Sequence, residues 1–159
     1  MKCFLDGPEA TARLAEDVSR VLTGDTSGWT LLLEGDLGAG KSTFARALIR
    51  AMGHEGAVPS PTYTLVEPYD LPGGANYHVD LYRVSDEEEL HFLGWGELED
   101  GFRLVEWPDR APGLAAGADL RLELSYSGTG REARFVGLSS RGVALLNQLE
   151  QSRQTQSED

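Results

Sequence analysis

A chain of 159 residues, 40% hydrophobic and 25% charged, has the size of one domain with a real core and is a tight fit for two. Its net charge of −12, from 14 basic and 26 acidic residues, argues against a broad nucleic-acid face, because that affinity comes from Lys and Arg replacing counterions. Any RNA is therefore expected on a partner, and no DNA contact is expected. Cys3 is the only cysteine, which excludes an intrachain disulfide and a multi-cysteine zinc site and leaves a small buried side chain as its expected role. The opening is interrupted by Asp6, Gly7 and Pro8, and no later run is apolar enough to span a bilayer, so a soluble, cytoplasmic protein without membrane contact is expected.

After a short apolar opening, Asp6 with Glu9 predicts a capped helix whose Leu14, Val18, Val21 and Leu22 share one face. Residues 29–34 read as a buried strand that runs into a glycine-rich loop, followed by a helix lined by Phe44, Ala47, Leu48 and Ala51. Residues 62–69 and 76–82 flank the turn Leu71-Pro72-Gly73-Gly74 and predict a β-hairpin. Ser85 with Glu88 predicts a capping box for a short acidic helix, and residues 102–107 a strand closed by Pro108. Leu120, Leu122, Leu124 and Tyr126 alternate, residues 127–130 turn the chain, and residues 131–138 pair back before a last helix around Val143, Leu146 and Leu149. The expected fold class is α/β: a P-loop NTPase-like three-layer domain with a mixed central sheet and β-hairpins. Residues 1–150 form that single domain, and residues 151–159, which lack an apolar anchor, are expected to be disordered.

Gly35-Asp36-Leu37-Gly38-Ala39-Gly40-Lys41-Ser42 is a complete P-loop pattern in the strand-loop-helix context that the pattern requires. Its glycines allow successive N–H groups to turn toward phosphate oxygens. Lys41 would bridge the β- and γ-phosphates, Ser42 would offer its hydroxyl to magnesium, and Thr43 would lie near the α-phosphate. The cradle is shared by ATPases, GTPases and kinases. No Asn-Lys-x-Asp guanine-reading motif occurs, which favours ATP, and Asp70-Leu71-Pro72-Gly73 is better read as a turn than as a GTPase motif.

Four spaced segments carry a resemblance: this loop through Thr43, Ser60-Pro61-Thr62-Tyr63-Thr64-Leu65-Val66-Glu67-Pro68-Tyr69, Tyr77-His78-Val79-Asp80-Leu81-Tyr82-Arg83, and Val105-Glu106-Trp107-Pro108. Together they resemble the TsaE (formerly YjeE) family, the bacterial ATPase component of the machinery that makes threonylcarbamoyladenosine in tRNA. The likeness covers most of the chain, including Gly130-Arg131-Glu132-Ala133-Arg134; it departs at Ser42, where the family often has Thr, and in the loop 93–101. It implies ATP and Mg2+ as ligands, TsaD bound to TsaB as partners, and tRNA met only through them.

Taken alone, Asp80 is either a solvated strand-end acid or a carboxylate that holds a magnesium-bound or attacking water; the resemblance implies the second. It likewise implies magnesium coordination by Glu106 and a role at the site for Trp107, which as a Trp before a Pro otherwise reads as core. Thr62 reads equally as a turn residue or a phosphate-sensing hydroxyl. His78 is expected to be structural, and Arg83 to pair with acids among residues 86–89, themselves a solvated face or a surface for a basic partner. The expected catalytic set is Lys41, Asp80 and Glu106; nucleotide contacts come from residues 35–43, Thr62 and Trp107, and metal contacts from Ser42, Asp80 and Glu106. A small-molecule kinase is the alternative, weakened by the absence of an arginine-rich lid, and a nucleotide-dependent interaction module with negligible hydrolysis is a third.

Overall fold

Successive leucines of the central strand point to opposite faces of one sheet, and this alternation builds the two halves of the core. In the computed structural model, which describes residues 1–159, the order is β1 (Lys2–Leu5), α1 (Pro8–Val21), β2 (Thr30–Glu34), α2 (Lys41–Ala51), β3 (Val66–Leu71), β4 (Gly74–Asp80), α3 (Glu89–Phe92), β5 (Phe102–Glu106), β6 (Leu120–Ser127), β7 (Gly130–Gly137) and α4 (Ser140–Ser157). Short 3-10 turns occupy Trp95–Leu98, Pro108–Arg110 and Pro112–Gly117. The strands form one sheet in the order β1-β7-β6-β2-β5-β4-β3. Strand β2 runs parallel to β5 and β6, and β4 parallel to β5; the pairs β1/β7, β6/β7 and β3/β4 are antiparallel. The mixed α/β sheet and both hairpins agree with the sequence pattern.

Leu31 and Leu33 pack with Leu14 and Val18 of α1, Phe44 and Leu48 of α2, and Leu149 of α4. Leu32 faces the other side, with Val79, Leu81, Val105, Leu90 and Leu98. Burying each such side chain is worth about 1.5–3 kcal/mol, so β2, apolar on both faces, anchors both halves of the core. The long helices α1, α2 and α4 all serve the first face. The second is covered only by α3 and the 3-10 turns, a thinner layer than the expected three-layer arrangement. No helix is long and apolar enough to cross a membrane.

Four local expectations change. Helix α1 starts from Gly7 with Pro8 in its first turn and no side-chain cap; the N–H groups of Ala10 and Thr11 bond the Gly7 carbonyl, which leaves Asp6 without that task. Residues 62–65 form a turn, and β3 begins only at Val66, because Leu65 takes a left-handed conformation (φ 69°) with its N–H on the Pro61 carbonyl. The expected Ser85–Glu88 capping box is absent: α3 starts at Glu89 without a side-chain cap, and the Ser85 hydroxyl bonds the Glu89 carboxylate at 2.7 Å. Residues 151–157, expected to be disordered, continue α4. Arg153 pairs with Asp17 of α1, and Thr155 and Ser157 bond carbonyls one turn back, so polar contacts anchor a segment without apolar residues.

Candidate active site

The loop between β2 and α2 is held against β6 by close backbone approach. A Cβ at Gly35 (φ 154°) would lie 2.5 Å from the backbone carbonyl oxygen of Leu124, and Gly38 (φ 80°) holds a left-handed conformation that disfavours any side chain. Tyr126 donates to the Leu37 carbonyl and Arg131 to that of Gly38, which ties the β6–β7 hairpin to the loop. Helix α2 starts at Lys41, directly after Gly40, so its unpaired first N–H groups and its positive dipole end open onto the loop.

Facing the loop is a pair of carboxylates. The parallel register of β4 and β5 sets Asp80 opposite Glu106, each at the C-terminal end of its strand and nearly buried, 4% and 2% exposed. Glu106 Oε1 accepts the Ser42 hydroxyl at 3.2 Å, and Oε2 accepts from His78 Nε2 at 2.6 Å. Asp80 Oδ2 accepts the Thr62 hydroxyl at 3.1 Å and Oδ1 the Tyr82 N–H at 2.9 Å. The Asp80 N–H bonds the carbonyl of the left-handed Leu65, so the same kink that ends the turn sets Thr62 beside Asp80.

Lys41 is 5% exposed, with its ammonium on the Gly35 carbonyl and 3.5 Å above the centre of the Trp107 ring. Burial pushes its pKa below the usual lysine value, opposed by the negative charges of Glu106 and Asp80. Trp107 adopts a left-handed backbone (φ 59°), which costs a residue with a Cβ about 1–2 kcal/mol, and its ring packs 5.0 Å from that of Tyr82.

A cleft of about 300 Å³ brings together Leu37, Gly38, Gly40, Lys41, Ser42, Thr43, Thr62, Asp80, Glu106 and Trp107, with Arg46, which the sequence did not single out. Gly35 and Asp36 line a neighbouring concavity beside Trp107. Ala39 faces a second cleft of about 230 Å³ on the far side of the loop, which shares Gly38, Gly40 and Thr43 and is closed by Asp6, Gly7, Pro8, Thr11, Thr129 and Arg131. Thr11 carries no local motif that would have flagged it, and Arg131 stood out only as part of the resemblance at residues 130–134, with no role attached. His78, read as structural, contacts a site carboxylate directly. Arg83 pairs with no acid; its guanidinium lies 4.3 Å from the centre of the Tyr63 ring.

The donors round the first cleft are hydroxyl and carboxylate oxygens beside one ammonium and a helix N-terminus. Such a set suits a polyanion carrying a hard divalent cation.

Residues 5–134 match the family model described as "Threonylcarbamoyl adenosine biosynthesis protein TsaE". The chain is 39% identical over 117 residues to the tRNA threonylcarbamoyladenosine biosynthesis protein TsaE of Haemophilus influenzae, covering 72% of this chain and 74% of that protein. It is 41% identical over 109 residues to the protein of the same name from Aquifex aeolicus, covering 67% and 76%. The crystal structure of Bacillus subtilis YdiB superposes with a TM-score of 0.74 at 27% identity, covering 96% of this chain and 95% of that one. With most of its length matched by the family model and two thirds or more aligned to these relatives, the chain belongs to the TsaE family.

Proposed function

We propose that this chain is a magnesium-dependent P-loop ATPase that serves tRNA threonylcarbamoyladenosine biosynthesis through a complex of TsaD and TsaB. Membership of the TsaE family supports the pathway. The observation that carries the ATPase reading is the convergence of Asp80 and Glu106, from two separate strands, on the glycine-rich loop that ends in Lys41 and Ser42.

In this reading the loop N–H groups enclose the phosphates and Thr43 meets the α-phosphate. Lys41 leaves the Gly35 carbonyl to bridge the β- and γ-phosphates, while the adjoining cleft at Thr11 and Arg131 takes the base and ribose. Ser42, Glu106 and Asp80 supply hard oxygen donors of the kind that hold Mg2+ together with substrate phosphates. Bound there, Mg2+ would neutralise charge on the β- and γ-oxygens. Asp80, steadied by Thr62 and the Tyr82 N–H, orients the attacking water; the new P–O bond forms as the bond to the β-phosphate oxygen breaks. Trp107, packed against the Tyr82 ring, walls the cleft.

Hydrolysis of Mg-ATP, with and without purified TsaD–TsaB, and reconstituted modification of tRNA test the reading. Hydrolysis that requires Mg2+ and Lys41, and modification that requires this chain, are expected. Phosphorylation of a nucleoside or sugar in place of hydrolysis would instead establish a kinase, for which Arg46 is the one arginine in the cleft.

A further inference from the structure

The crossover between the two carboxylate-bearing strands carries a second surface. Helix α3 and the turn Trp95–Leu98 join β4 to β5 and enclose an open groove of about 650 Å³. Its apolar floor is Leu90 and Trp95, and Phe92 stands at its edge, 90% exposed, the most exposed of the chain's large apolar side chains. Glu87, Glu88 and Glu99 rim it. A phenylalanine ring left in water beside a half-buried tryptophan forgoes its burial energy, and an apolar patch rimmed by charge is the form of an interaction site.

The rim is one-signed. Residues 85–100 hold seven of the chain's 26 acids and no Lys or Arg, and the groove wall has a single basic group, His91. Glu87 is committed to the fold through the Gly113 N–H at 2.6 Å, but Glu88 and Glu99 make no ion pair. From behind, the Arg103 guanidinium lies 4.9 Å from the centre of the Trp95 ring and holds that wall in place.

We infer that this groove docks a protein segment that places an apolar or aromatic side chain between lysines or arginines. Charge complementarity selects that occupant: the apolar residue fills the space against Phe92 and Trp95, while the cations meet Glu88 and Glu99. A second copy would set equal acidic rims against each other, and RNA phosphates would meet the same repulsion. The inference deepens the proposed function by giving the partner complex a face to hold, and it rests on that reading only for the partner's identity.

Two arms test it on the full chain. In the first, a ten-residue peptide of alternating Lys and Leu with a central Phe is titrated while the Phe92 and Trp95 NMR signals are followed. Both are expected to shift, with affinity lower at high salt and roughly tenfold weaker in Phe92→Ser and in Glu88→Lys/Glu99→Lys. The control Glu55→Lys/Asp70→Lys, with the same change in charge, should bind nearly as wild type. Equal binding by all variants, or dimerisation that Phe92→Ser abolishes, overturns the inference. In the second arm TsaD–TsaB replaces the peptide; weakening in the groove variants with unchanged nucleotide affinity supports it, and unchanged partner affinity overturns it. If the wild type itself fails to bind TsaD–TsaB, the partner reading falls and the peptide arm decides the groove.

Discussion

His78 Nε2 donates to Glu106 Oε2 across 2.6 Å, with both side chains closed off from solvent. The bond holds one carboxylate oxygen and leaves Oε1 turned toward Ser42; in the proposed site His78 would thereby position Glu106. His78→Ala is expected to lower Mg-dependent hydrolysis roughly 10–100-fold while nucleotide affinity measured without Mg2+ stays within about twofold. His78→Gln, which can still donate, should recover part of the loss. An Ala variant with wild-type magnesium dependence would leave the bond with a structural role alone.

Lys41→Ala should abolish nucleotide-dependent function, because it removes the one ammonium at the loop. Glu106→Ala should weaken Mg-dependent hydrolysis more than metal-free nucleotide binding. Binding isotherms with and without Mg2+, set beside single-turnover rates, separate the two; unchanged hydrolysis in either variant contradicts the assignment.

The ammonium of Lys41 over Trp107 gives the site an optical reporter. Nucleotide binding that draws Lys41 away is expected to change indole fluorescence, and Trp107→Phe should remove that change while Trp29 and Trp95 remain. A full signal in Trp107→Phe would place the reporter elsewhere.

Gly35→Ala would set a methyl group 2.5 Å from the Leu124 carbonyl oxygen. The loop must shift, so a loss of nucleotide affinity larger than the loss of thermal stability is expected. Calorimetric titration alongside thermal melting checks the order of the two effects.

Asp119 ties β6 to β2 and α4: it accepts the Thr30 N–H, the Ser139 hydroxyl and the Arg141 guanidinium. Burial raises its pKa, but these donors outweigh that effect and hold the carboxyl below the usual aspartate value. A depressed pKa stabilises the fold above the unfolded-state value near about 4, and that contribution fades as pH falls through the lower folded value. Asp119→Ala strands the buried Thr30 N–H and should cost roughly 1–3 kcal/mol at neutral pH. Urea melts should show a smaller deficit on acidification below about pH 4; a deficit constant across that range would rule out the carboxylate as its source.

Local pattern made β2, the glycine-rich loop and α2 legible, because apolar periodicity and glycine placement act over a few residues. Asp80 and Glu106 were visible as strand-end acids, yet their meeting depends on the parallel register of β4 against β5. Ser42 and Glu106 lie 64 positions apart, and no local rule joins them. The Ser85–Glu88 capping box does not form, because α3 begins only at Glu89 with Glu88 at its N-cap position, and Ser85 bonds the Glu89 side chain instead.

What the sequence determined by itself is a glycine-rich loop pattern in its strand-loop-helix setting, within a larger motif series. Tertiary structure alone decided that His78 serves Glu106 and that Thr11 and Arg131 flank the loop's far side. It also decided that the last turns of α4 are ordered, through an Arg153–Asp17 pair that spans 136 positions. The physical reason is common to all three: a hydrogen bond or ion pair between distant residues leaves no periodicity in the chain, and it exists only once the sheet has brought its partners together.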